Sequence, residues 1–312
     1  VVDLGVDTGG TFTDVVSADG RIAKVPSTPE DPGDAVRAGA STVASIPASV
    51  LAHGTTVATN ALLEGKAAAV TLVTTAGFAD VIEIGRQDRP SLYDPAVVRP
   101  DPLVPRHRRI EVGGRLGPDG SEIEPPEPAG LGPLPPETEA VAVCLLHADL
   151  DGSHERAVAD ELRQRGVDVC CSHEVSPEVR EYERTMTTVV NAALRPRLRA
   201  YLRSLAGLAE EVLVMTSAGG LLTAADAAEL PAALLLSGPA AGVRAGTEAA
   251  LANGFTGAVT FDMGGTSTDV CLVTDGLPAL ASQRQVGGYT VRFPSLDIHT
   301  IGAGGGSLAR LD

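Results

Sequence analysis

Tryptophan is missing from this chain, and aromatic residues make up only 3% of its 312 residues. Hydrophobic residues still reach 44%, so a core has to be built from Ala, Val and Leu, the texture of an α/β protein with buried strands. Cysteine is scarce. Cys144, Cys170, Cys171 and Cys271 show no C-x-x-C spacing, so buried free thiols are expected rather than disulfides or a metal site. The six histidines are scattered without metal-ligand spacing, and His107, His154 and His173 fall in charged stretches expected to be solvated. No apolar run approaches the roughly eighteen residues a membrane span needs, and the chain opens directly on a strand-like segment rather than a signal peptide. A soluble, cytoplasmic protein is expected.

Positive charge is also in short supply. Lys and Arg number 24 against 40 Asp and Glu, a net charge of −16, and that field repels nucleic acid and anionic membranes. Small ligands and proteins remain as partners. The P-loop pattern Gly-x-x-x-x-Gly-Lys-Ser/Thr is absent, and no glycine turn of the dinucleotide type runs straight into a helix.

What is present is an octapeptide in duplicate. Asp7-Thr8-Gly9-Gly10-Thr11-Phe12-Thr13-Asp14 and Asp262-Met263-Gly264-Gly265-Thr266-Ser267-Thr268-Asp269 agree at six of eight positions. Each copy lies between apolar runs, so each reads as strand, glycine turn, strand. Adjacent glycines let the main chain approach an anion with its N–H groups exposed, threonine hydroxyls add donors, and a strand-end aspartate can hold magnesium. One such turn is common hairpin chemistry. Two matched turns point to a triphosphate, ATP with Mg2+, gripped from both sides.

Around these hairpins the pattern alternates strand and helix, which implies a mainly parallel sheet. A helix is expected from Asp34, and another over Val57–Glu64 behind His53-Gly54-Thr55-Thr56, with Gly65 as its stop. Ala68–Thr75 and Val141–Leu146 read as buried strands. The stretch 87–139 is rich in proline, glycine and charge and reads as an insertion, with a hairpin expected between Ile110–Val112 and Glu122–Glu124. Ser176-Pro177-Glu178 reads as a helix start, the helix running towards Pro196. Ser237-Gly238-Pro239-Ala240-Ala241-Gly242 opens a further helix whose N-terminus either faces phosphate or uses glycine for close packing. The glycine-rich run Gly302–Ser307, with Gly304 and Gly305 at its centre, meets nucleotide or substrate, or serves as a hinge. Two domains are expected, 1–175 and 176–312. From Asp262, the start of the second octapeptide, to Asp312 there are 51 residues, both ends counted, so the second lobe is expected to be incomplete and the chain a fragment.

A duplicated phosphate hairpin resembles the actin-like ATPase superfamily, with its ribonuclease H-like fold of two lobes. Longer strings narrow the likeness: His53-Gly-Thr-Thr-Val-Ala-Thr-Asn-Ala-Leu62, Glu83-Ile-Gly-Arg-Gln87, Glu174-Val-Ser-Pro-Glu-Val-Arg-Glu-Tyr-Glu-Arg184, Ser237-Gly-Pro-Ala-Ala-Gly-Val243 and Leu296–Ser307. In order and over nearly the whole chain, these resemble the hydantoinase A/5-oxoprolinase family. The resemblance implies an ATP-binding A part that works with a hydantoinase B-type subunit or domain to open cyclic amides. Ketone carboxylases are close relatives.

The resemblance further implies phosphorylation of the substrate carbonyl oxygen. Gly9, Gly10, Thr11 and Thr13 on one side and Gly264, Gly265, Thr266 and Thr268 on the other would donate to phosphates. Asp7 and Asp262 would be the catalytic, magnesium-holding or water-positioning carboxylates, while Asp14 and Asp269 are expected to accept hydrogen bonds from the turn backbone. Substrate contacts are expected from His53, Thr55, Asn60, Arg86 and Arg89, the alternatives being a core or capping histidine and a solvated arginine face. The competing classes are the activating half of a cyclic amide hydrolase, the nucleotide subunit of a ketone carboxylase, and a non-catalytic nucleotide switch.

Overall fold

The computed structural model describes residues 3–28, 31–88, 91–94, 96–98, 101–264 and 267–308. It divides into two compact units, one made of 1–60, 199–284 and 293–312, the other of 61–198 and 285–292. This partition crosses the boundary expected near residue 175. The cause lies in strand Ala209–Met215, which pairs in parallel with the early strand Ala48–Thr55 and so brings later residues into the first unit.

In the first unit, β1 (Leu4–Thr8), β2 (Phe12–Ser17) and β3 (Ile22–Pro26) form an antiparallel meander. On its other edge β1 pairs in parallel with β4 (Ala48–Thr55), followed by Ala209–Met215 and the antiparallel strand Leu221–Thr223. Helix α1 (Pro32–Val43) lies on this sheet and is opened by Asp31, whose side chain accepts from Gly33 N at 3.1 Å, with proline at the first turn. Leu4, Val15, Val36 and Leu51 are fully buried beneath it. The second octapeptide builds a smaller sheet in the same unit. Ala258–Met263 pairs antiparallel with Thr268–Thr274, whose far edge is shared by Leu277–Pro278 and Ile298–Ile301. Helix Ser237–Ala252 packs on this sheet.

The second unit is built on four parallel strands in the order Val169–Cys171, Ala140–Cys144, Val70–Thr75, Arg109–Val112. The two central strands are buried at every residue, as a sheet covered on both faces requires. Helix Ser153–Gln164 closes a core of Val73, Val143, Val158 and Leu162.

Three local expectations are corrected. Ile110 and Val112 belong to the parallel sheet, and the antiparallel hairpin is Arg115–Leu116 with Glu122–Glu124. The long helix runs Glu181–Ser204 and passes through Pro196, while Ser176 caps the C-terminal end of the short helix Ser172–Val175. Arg180, held at φ 89, separates the two helices. His154 is buried against Glu122 at 3.0 Å, and His173 is largely enclosed by Glu155; the fold packs these charged stretches inward. All four cysteines are buried and free. No helix among the described residues is long and apolar enough to cross a membrane.

Candidate functional site

The two octapeptides fold into the same turn. In the first, Gly9 N donates to Phe12 O at 3.0 Å; in the second, Gly264 N donates to Ser267 O at 2.9 Å. Asp7 stands opposite Asp14, and Asp262 opposite Asp269, so the register also matches. At the tip of the first turn Gly10 opens onto free space: a Cβ there would meet nothing within 4 Å. An anion can therefore approach this backbone without displacing the fold.

Asp7 and Asp262, both in the first unit, act on each other electrostatically. Burial raises the pKa of Asp7, the negative charges of Asp14 and Asp262 raise it further, and Lys24 opposes them. Asp7 as a whole residue is still exposed to solvent. Its space comes from Gly54, which faces Asp7 across the β1–β4 ladder and whose added Cβ would lie 3.0 Å from Asp7 Oδ1. Sequence reasoning missed Gly54 as a site residue, because its role follows from a pairing 47 residues away in sequence.

Helix Ser237–Ala252 lies against the second hairpin and against β4, the parallel neighbour of β1. Ser237 Oγ donates to Thr55 O at 3.1 Å, and Leu236 N donates to Thr59 Oγ1 at 3.0 Å. Further along the helix, a Cβ on Gly242 would sit 3.7 Å from Asp262 Oδ2.

The remaining expected residues sort by where their polar atoms go. Thr13 is fully buried with its hydroxyl 3.1 Å from Ser27 Oγ, which in turn donates to Gly9 O at 2.8 Å. Thr268 is buried and donates to Ala303 O at 2.6 Å. These two hydroxyls brace the turns from inside instead of projecting outward as donors. Gly305 N donates to Gly264 O at 3.0 Å and Gly304 N to Ser307 Oγ at 3.0 Å, so the glycine-rich run wraps the second turn. Thr11 is exposed at the first turn. Gly265, Thr266 and Arg89 lie outside the described residues.

Asp14 and Asp269 take cross-strand partners in place of turn backbone: Lys24 Nζ donates to both Asp14 oxygens at 2.9 Å, and Thr300 Oγ1 to Asp269 Oδ1 at 2.6 Å. His53 is 1% exposed. Its Nδ1 lies 3.3 Å from Val6 O and its Nε2 2.6 Å from Tyr201 Oη, so both ring nitrogens are spent inside the protein. Burial lowers its pKa to about 4, with the Val6 carbonyl opposing, which leaves the ring neutral. Thr55 is buried with its hydroxyl accepting from Val57 N at 3.2 Å, and Asn60 Nδ2 donates to Thr56 Oγ1 at 3.3 Å. Arg86, in the second unit, is half-exposed and its Nε donates to the buried Glu183 at 2.6 Å.

Two groups of metal-ligand type occur elsewhere among the described residues: Glu155 with Cys171 and His173, and His147 with Asp149 and Glu181. Glu155 already accepts from Leu145 N, Ser172 Oγ, His173 N and His173 Nδ1 at 2.6 to 2.9 Å. Burial pushes the Cys171 thiol up, against a thiolate. Asp149 accepts from the fully buried Arg184 at 2.8 Å. Both groups read as structural anchors.

A β-meander flanked by parallel strands, a second hairpin of the same turn and facing aspartates define an α/β protein of the actin-like ATPase, ribonuclease H-like fold. The chain belongs to the hydantoinase/oxoprolinase family: residues 3–166 match the hydantoinase/oxoprolinase N-terminal region, and residues 184–312 match the hydantoinase/oxoprolinase family proper. It is 37% identical to caprolactamase subunit alpha of Pseudomonas jessenii, covering 99% of this chain and 49% of that subunit. The crystal structure of the ATP-dependent caprolactamase from the same organism superposes with a TM-score of 0.83 at 34% identity, over 99% of this chain and 49% of that one. A nucleotide-free structure of acetone carboxylase, an enzyme of ATP-dependent acetone carboxylation, gives 0.80 at 25% identity with the same coverage. The chain thus spans about half the length of these relatives.

Proposed function

We propose that this chain is the nucleotide-binding, substrate-activating part of an ATP-dependent enzyme that opens cyclic amides. The observation that carries this reading is the pair of matched glycine turns whose leading aspartates, Asp7 and Asp262, lie within electrostatic reach of each other. Two carboxylates within electrostatic reach, with Lys24 committed to Asp14, favour a divalent ion with hard oxygen ligands. They suit magnesium, which would neutralise phosphate charge. The N–H groups of Gly9 and Gly264 close their turns on Phe12 O and Ser267 O, so in this reading the donors to the phosphates are the backbone N–H groups of Gly10 and Gly265 and the hydroxyls of Thr11 and Thr266. Thr13, Thr268, Gly304 and Gly305 hold the turns in shape.

The chemistry asks little acid–base work of the chain. The substrate carbonyl oxygen attacks the γ-phosphorus, the bond from that phosphorus to the bridging oxygen breaks, and ADP leaves. The resulting imidate phosphate carries an activated carbon. One water adds to that carbon and the C–N bond breaks, releasing the amine and leaving an acyl phosphate; a second water then cleaves the acyl phosphate to a carboxylate and inorganic phosphate. The residues of this chain contribute position and charge compensation in the first step. A B-type subunit or domain completes the second, and the cytoplasm supplies ATP.

The likeness to acetone carboxylase supports a second reading, in which a ketone enol phosphate is consumed by bicarbonate. The deciding experiment uses the full-length protein with its partner and measures phosphate release from ATP. Acceleration by caprolactam, hydantoin or 5-oxoproline is expected. Acceleration only by acetone or acetophenone with bicarbonate would replace the first reading by the second. ATP-dependent partner binding without acceleration by any of these compounds would indicate a nucleotide switch instead.

A further inference from the structure

Beneath the first hairpin, on the face of the sheet opposite Asp7, four polar side chains are buried close to one another. Thr8 is 2% exposed, His53 1%, Thr55 0% and Tyr201 6%. Burying such a cluster costs more than an apolar filling of the same volume unless its hydrogen bonds are complete. The two contacts of the His53 ring fix a direction. The Val6 carbonyl can only accept, so His53 Nδ1 carries the ring proton. His53 Nε2 is then an acceptor and takes the Tyr201 hydroxyl proton at 2.6 Å. Tyr201 Oη has lone pairs left over, and the Thr8 and Thr55 hydroxyls act on it, offsetting part of the upward push of burial that takes the phenol to about 12. Thr8 Oγ1 makes no hydrogen bond among the described residues.

We propose that His53 and Tyr201 are positioning residues that form a hydrogen-bond chain from Tyr201 Oη through His53 to the Val6 carbonyl. The chain ends on β1 at the residue before Asp7. It therefore anchors the strand beside the carboxylate and sets the pitch of the Asp7–Gly10 segment. Tyr201 comes from the last turn of helix Glu181–Ser204 and His53 from β4, so three elements are tied at one point. The inference rests on the reading of Asp7 as the carboxylate that meets the phosphates.

The test uses Tyr201→Phe, His53→Gln and the double variant in the full-length protein with its partner. Each single change should lower kcat for ATP turnover about tenfold and raise the half-saturating magnesium concentration, with KM for the small substrate unchanged. The double variant should be no worse than the stronger single one, because both break the same chain. Hydrogen exchange, followed without nucleotide, should accelerate at the amides of residues 7–12 and stay constant at 262–264. Variants that lose thermal stability yet keep wild-type kcat, magnesium dependence and exchange at 7–12 would overturn the proposal and leave His53 and Tyr201 as packing residues. A wild-type protein without ATP turnover would instead refute the nucleotide reading. The exchange arm would still decide whether these two residues hold the hairpin.

Discussion

The two hairpins carry the same turn, but the strands behind them live in different surroundings. In the first, Leu4 and Val15 are fully buried, β1 is paired on both edges, and α1 covers the sheet. In the second, Ala258–Met263 pairs only with Thr268–Thr274 among the described residues. One face of that strand meets helix Ser237–Ala252; the other exposes Val259 at 62%, Phe261 at 62% and Met263 at 53%. Buried residues there are few: Ala240, Val243, Cys271, Leu296 and Ile298. The turn is thus local chemistry, set by eight residues, whereas the stability behind it depends on what the rest of the fold lays against each strand.

The largest expected effect tests that difference directly. Leu4→Ala should cost about 2–5 kcal/mol of stability, the range for a fully buried leucine in a core that collapses only in part. Phe261→Ala removes more carbon but should change stability by only about 0.5 kcal/mol, since the ring gives up little buried area. Urea melts of both variants check this. Equal costs would mean that the exposed face is covered in solution.

The aspartates should behave as a pair in turnover and differ in stability. Asp7→Asn and Asp262→Asn are each expected to reduce magnesium-dependent ATP turnover in the full-length protein about a hundredfold to a thousandfold, as lost charge stabilisation at a phosphate site does. Asp7 carries the further signature of a raised pKa. Its folded form holds a proton more tightly than its unfolded form, so it favours folding below the ordinary carboxylate range and opposes it above. Asp7→Asn should therefore raise the melting temperature at neutral pH while removing activity. A fall in melting temperature would show that the carboxylate stabilises the fold instead.

A third contrast lies beneath the turns. The first hairpin sits over neutral, buried His53; strand Ile298–Ile301, beside the second, exposes His299. With the folded pKa of His53 at about 4 against an ordinary 6.5, the unfolded chain binds a proton first. Stability should fall as pH drops from 6.5 towards 4, by on the order of 3 kcal/mol for a shift of this size, and level off below. Melts between pH 4 and 7 should show this slope in the wild type and lack it in His53→Gln.

That histidine also marks where sequence reading stopped. The turns, the strands around them and helices 32–43 and 57–63 were legible, since glycine pairs, apolar alternation and capping residues act over a few positions. The fate of His53 was not, because the hydroxyl that takes up its ring is Tyr201, 148 residues away. Ile110–Val112 fits a hairpin by pattern alone; its parallel partner Leu72–Thr75 lies across a long crossover. Thr13 and Thr268 share the motif with the exposed glycines, but strand alternation turns them inward, where Ser27 and Ala303 meet them. Arg180 at φ 89 delays the long helix by five residues, from 176 to 181, and nothing in Ser-Pro-Glu announces it.

The smallest expected effect compares the two glycines that face the aspartates. A Cβ at Gly54 would lie 3.0 Å from Asp7 Oδ1, tighter than ordinary contact, so Gly54→Ala must move the carboxylate by a few tenths of an ångström. The side-chain tip can yield at little cost to folding, but a displaced ligand is felt in the reaction, and turnover should fall about tenfold. At Gly242 the corresponding contact with Asp262 Oδ2 is 3.7 Å, ordinary van der Waals distance. Gly242 also lies inside helix Ser237–Ala252, where alanine is favoured over glycine by roughly 0.5–1 kcal/mol. Gly242→Ala should therefore leave turnover within about twofold and raise the melting temperature slightly. If Gly242→Ala proves the more damaging of the two, the spacing between helix and second hairpin, rather than the pocket around Asp7, is the tighter constraint on this site.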